Sequence, residues 1–91
     1  MRQYKPTQRF HVTRPGGRTT ISLDSLLVEL LAIRLDATPY TQIAHGTVQR
    51  WLQEQVDAEN DLNRAHFSQW LAGQALLFVA DPALVDQWHK W

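Results

Sequence analysis

The chain has 91 residues, no cysteine and a formal net charge of zero. A length like this holds one domain and, as a monomer, buries only about two-thirds of its unfolded surface. It has no disulfide frame, no thiolate chemistry, no apolar run of the roughly 18–20 residues of a membrane span and no apolar signal segment at its N-terminus, which together lead to the expectation of a cytoplasmic protein away from membranes.

The zero net charge conceals a segregation. Arg2, Lys5, Arg9, Arg14 and Arg18 lie in the first 18 residues without a single acid. Residues 19–91 hold Arg34, Arg50, Arg64 and Lys90 against all nine acids. A basic arm on an acidic body suits a polyanion, because the arm attracts it and the body orients the approach. Residues 1–17 are expected to form this arm, flexible in the free chain.

Within the arm, Gln8 to Thr13 has strand character, with Phe10 and Val12 on one face. Two readings stand beside each other. Pro15-Gly16-Gly17 turns a hairpin that pairs residues 8–13 with 18–23. Alternatively the arm stays loose and residues 18–23 pair with the same strand of a second chain, which is the preferred expectation. In Arg18-Thr19-Thr20-Ile21-Ser22-Leu23, Ile21 and Leu23 point to a core, while Arg18, Thr20 and Ser22 point away from it. Asp24 is suited to cap the helix that follows.

That first helix runs to about Leu35. Leu27, Leu31 and Leu35 form one apolar stripe, and Leu26, Leu30 and Ile33 a second. A helix apolar on two sides must be covered on both, one by a partner chain and the other by the C-terminal third. Pro39 marks the stop. Thr41 caps a second helix to about Val56, with Ile43, Ala44, Thr47, Val48, Trp51, Leu52 and Val56 on its apolar side. Gly46 costs this helix about 1 kcal/mol relative to alanine, which a tight helix crossing at a dimer centre would explain. A third helix is expected over Asp61 to Val79. Asp81-Pro82 starts a fourth, to about Lys90, with Leu84, Trp88 and Trp91 on one stripe.

Strand, helix, turn and second helix over residues 18–56 resemble the ribbon-helix-helix family (MetJ/Arc type) of bacterial transcriptional repressors and antitoxins. The resemblance rests on Arg18 to Asp24, Leu27, Leu31, and Thr41 to Leu52 with Val48 and Trp51. It implies a mostly α fold in an intertwined homodimer, with an intermolecular two-stranded β-ribbon and, in this chain, a C-terminal helical extension over residues 57–91. It implies double-stranded DNA as partner. Arg18, Thr20 and Ser22 would read base edges in the major groove, a role that arginine and hydroxyl chemistry suits. Arg2, Lys5, Arg9, Arg14, Thr41 and the Gln42 amide would hold phosphate, the last two at a helix N-terminus. Ile21, Leu23, Leu27, Leu31, Val48 and Trp51 would form the dimer core. Where the family usually has a glycine between its helices, this chain has Asp36-Ala37. Leu84, Trp88 and Trp91 are the candidate surface for a protein partner, since antitoxins of this family often bind a toxin through a C-terminal extension.

Other chemistry finds little footing in the chain. His11, His45, His66 and His89 are scattered without metal-ligand spacing, and Asp57, Glu59 and Asp61 lack the glycine and terminal glutamate of a calcium loop. No nucleophile elbow or phosphate loop is present. No enzyme activity, metal or cofactor is expected.

Overall fold

A computed structural model describes residues 6–59 and 66–90. It is mostly helical, with one antiparallel hairpin. Strands β1 (Thr7–Arg14) and β2 (Gly17–Asp24) are followed by helices α1 (Ser25–Arg34), α2 (Gln42–Ala58), α3 (Phe67–Val79) and α4 (Pro82–His89).

The hairpin corrects the expectation of a flexible arm over residues 1–17 where that arm is described, from residue 7 on; residues 1–5 lie outside the described residues. Residues 7–14 are a regular strand, and β2 pairs with them in its own chain, Thr7 opposite Asp24 through to Arg14 opposite Gly17. Local chemistry closes the turn. Pro15 cannot take the positive φ of the primed hairpin turns. It precedes Gly16 at φ 96°, the Pro-Gly pattern of a type II turn. Gly17 follows at φ 143°, a value that a side chain would resist.

Pairing in one chain changes what the core is made of. Phe10, Val12, Ile21 and Leu23 all face inward and are buried. They join Val28, Leu31 and Ala32 of α1, Ala44, Val48, Trp51, Leu52 and Val56 of α2, and Phe67, Leu71 and Ala75 of α3. Ile21, Leu23, Leu31, Val48 and Trp51, expected to form a dimer core, are therefore buried without a second chain, and Leu27 packs on them half-buried. The physical reason is that β1 covers the strand from one side while α3 covers the helices. Of the C-terminal extension, α3 packs on the core, where it lies against both α1 and α2.

Helix ends follow local rules. The Asp24 carboxylate accepts the amides of Leu26 and Leu27 at 2.8 and 3.4 Å. The Thr41 hydroxyl accepts the Ala44 amide at 3.0 Å, and the Asp81 carboxylate that of Ala83 at 2.7 Å. α1 stops well before Pro39. The Asp36 amide donates to Ile33 O and the Ala37 amide to Ala32 O, a Schellman closure with Asp36 at φ 63°. Aspartate thus takes the left-handed position for which glycine was expected, and among side chains it is one of the few that tolerate it. The connection is then fixed by Glu29, which is buried and accepts the Tyr40 amide on Oε2 at 2.9 Å.

One expectation about packing is overturned, and Gly46 stands in open space within the chain. The stripe of Leu26, Leu30 and Ile33 is 59, 45 and 54% exposed, so within the chain the C-terminal third does not cover it. Gly46 is exposed, and a Cβ added there meets nothing within 4 Å, so no close helix crossing inside the chain explains it. Since nothing in the chain crowds that position, Gly46→Ala is expected to stabilise the folded chain by about 1 kcal/mol, alanine being the better helix former. That corresponds to a rise of about 4–8 °C in Tm, readable by thermal circular dichroism.

Candidate nucleic-acid interface

Strict alternation divides the hairpin into two faces. The inner face is the buried apolar row. The outer face carries Thr7, Arg9, His11 and Thr13 from β1 and Arg18, Thr20, Ser22 and Asp24 from β2, all exposed. Across the strands, Arg9 lies opposite Ser22, His11 opposite Thr20, and Thr13 opposite Arg18. The face is polar throughout, with Arg18 at one corner, Arg9 one pair in from the other end, and its one acid, Asp24, at the α1 cap.

β1 is held in place by an uncommon edge. α2 runs alongside it and caps its backbone with side-chain amides. Gln49 Oε1 accepts the His11 amide at 3.1 Å, and Gln49 Nε2 donates to His11 O. Gln53 repeats this on Thr13, accepting at 2.9 Å and donating at 3.1 Å. One turn earlier, His45 Nε2 lies 3.3 Å from Arg9 O, and its ring stacks on Phe10 with centroids 4.4 Å apart. The match has a simple geometric basis. Four helical residues rise about 6 Å, close to the roughly 6.6 Å spanned by two strand residues. Side chains at 45, 49 and 53 therefore fall in step with strand residues 9, 11 and 13.

The same pattern fixes the state of the other edge. His11 and Thr13 turn both backbone groups outward to α2, so their pairs with Thr20 and Arg18 are the non-hydrogen-bonded kind. The backbone groups of Arg18, Thr20 and Ser22 then face outward along β2, and no hydrogen bond to them occurs among the described residues. One edge of the ribbon is sealed and the other is open.

The structure brings Arg18, Thr20 and Ser22 together as expected, and adds Arg9 to the same surface. It removes Arg14. That residue has inward parity, is half-buried, and sets its guanidinium 4.1 Å from the centroid of the Phe67 ring. A cation–π contact of this kind ties Arg14 to α3, away from the outer face. Thr41 and Gln42 sit at the α2 N-terminus and are exposed. Because α2 runs parallel to β1, they lie toward the Thr7 end of the hairpin. Arg2, Lys5 and Trp91 lie outside the described residues, as does the side chain of Trp88. Leu84 on α4 is 61% exposed.

His11 is the residue that sequence reasoning missed. Read alone it is one scattered histidine. In the fold it stands at the middle of the outer face, with Nδ1 2.9 Å from the Thr20 hydroxyl. The signal for it was the period-two placement of Arg9, His11 and Thr13 against Phe10 and Val12. Compared with family models, with curated proteins and with solved structures, the chain gives no match.

Proposed function

We propose that this protein is a sequence-specific double-stranded DNA-binding regulator, a repressor acting as a homodimer, with the outer face of the hairpin in the major groove. One observation carries the reading: an exposed two-stranded ribbon whose outward side chains are arginine, histidine, threonine and serine, with a single acid, Asp24, at the end that caps α1. A major groove admits a two-stranded ribbon, and these groups suit base edges. Arg18, Thr20 and Ser22 are the base readers. Arg9 and the Thr41–Gln42 end of α2 are phosphate contacts, joined by Arg2 and Lys5 of the N-terminal segment. The order β2–α1–α2 is that of a ribbon-helix-helix core, with the ribbon completed here by β1. Two copies on a palindromic site account for a regulator of this size.

The test is selection of binding sites from a random duplex library, with wild type beside the double variant Arg18→Ala/Thr20→Ala. Wild type is expected to enrich a palindrome and the variant to lose preference at the contacted bases. Loss of one good base contact amounts to roughly 1–3 kcal/mol. Affinity should also fall steeply with salt, in proportion to the phosphates neutralised. A folded wild-type protein that enriches nothing would refute the reading.

A second reading has its own observation. Leu26, Leu30 and Ile33 form an exposed apolar row on α1, and Leu84 is exposed on α4. Rows of this kind mark protein-binding surfaces. A protein-interaction module built on them would flow through a heparin column, whereas the DNA reader would be retained.

A further inference from the structure

We infer that the DNA-reading unit is one hairpin of one chain, and that His11 of β1 reads bases beside Thr20 of β2. This rests on the proposed DNA-binding function and specifies how that function is carried out.

Width decides between one chain and two. If two copies joined through their open β2 edges, the sheet would have four strands. Its outer backbones would be about 15 Å apart at the usual strand spacing. A major groove about 12 Å wide takes two strands, not four. β1 cannot be moved aside to make room, because Phe10 and Val12 are fully buried and Gln49 and Gln53 tie its backbone to α2. The ribbon that fits the groove is therefore β1 with β2. A second copy occupies a second half-site with its own hairpin, and no strand is shared between copies.

A ribbon made this way presents two different rows. The β2 row is Arg18, Thr20 and Ser22; the β1 row is Arg9, His11 and Thr13. His11 is the best placed of the new row. Its backbone is held at both N–H and C=O by Gln49, and its ring is steered by the Thr20 hydroxyl. With Nδ1 engaged, Nε2 is the ring atom left to meet a base edge. A side chain whose backbone and ring are both oriented in advance loses little freedom on binding, the condition under which one contact discriminates well. The edges differ as well. The His11 and Thr13 amides of β1 are occupied by α2, while the outward amides of β2 remain available to phosphate along one wall of the groove.

The experiment has two arms on the full-length protein. Sites are selected from random duplexes with wild type, His11→Ala and His11→Gln. The number of chains on a duplex carrying a single selected half-site is then counted by native mass spectrometry. The expected result is one chain per half-site, with wild-type preference at one base position falling by roughly fivefold in His11→Ala, the low end for a good base contact. That position should neighbour the one lost in Thr20→Ala, and His11→Gln should change the preferred base there. Thermal melting shows that both exposed-site variants are folded. Either an obligatory pair of chains on one half-site, or an unchanged base preference in both His11 variants, overturns the inference while DNA reading stands. If wild type itself selects no sequence, the underlying function fails and this inference fails with it.

Discussion

Phe10→Ala is expected to cost about 3–5 kcal/mol, the range for removing a buried phenylalanine from a packed core. Phe10 is fully buried, lies opposite Ile21, and stacks on His45. A 91-residue domain has a total stability of only about 5–10 kcal/mol, so the variant would be largely melted or close to it. The measurement is urea unfolding followed by tryptophan fluorescence, which suits a core containing Trp51. A residue in a loose basic arm would give the opposite result, a change within about 0.5 kcal/mol. The same reasoning reassigns residues 7–14. Deleting them removes two fully buried side chains and one strand of the sheet, so the body of the protein loses its fold along with its charge. Separating electrostatics from folding needs Arg9→Gln, which keeps the length of the strand and the inner row.

Much of this architecture was legible in local chemistry. β2, its inward Ile21 and Leu23, and its outward Arg18, Thr20 and Ser22 follow from alternation. Asp24, Thr41 and Asp81 are caps that the sequence marks by residue type, and the apolar side of α2 follows from its period, except that Ile43, expected on that side, is exposed in the first turn. What local chemistry left open was the partner of β2. A strand with one apolar face demands a neighbour but does not name it, and β1 in the same chain satisfies the demand as well as a second copy would. The deciding contacts span 38 and 40 residues, from His11 to Gln49 and from Thr13 to Gln53. Glutamines at that spacing on a helix read as ordinary surface until a strand edge lies beside them. The turn after α1 was unclear for a related reason. Its geometry requires a left-handed residue, and Asp36 supplies it without the glycine that would have announced it.

The glutamine ladder accounts for the second large effect. Gln49→Ala with Gln53→Ala removes four hydrogen bonds between α2 and the β1 backbone, and the expected cost is about 2–4 kcal/mol for the pair. Water can replace part of what is lost at this half-exposed edge, which keeps the figure below that of burying four unsatisfied groups. Amide hydrogen exchange gives the sharper reading. In wild type the His11 and Thr13 amides are bonded to glutamine side chains, while the alternation turns the Phe10 and Val12 amides toward β2. The double variant should release His11 and Thr13 to fast exchange and leave Phe10 and Val12 slow as long as the hairpin persists. If His11 and Thr13 kept their protection, the ladder would not be what seals β1. If instead all four amides opened together, the hairpin would depend on α2 for its existence, and the outer face carrying Arg9, His11, Arg18 and Thr20 would be assembled only when that helix is docked.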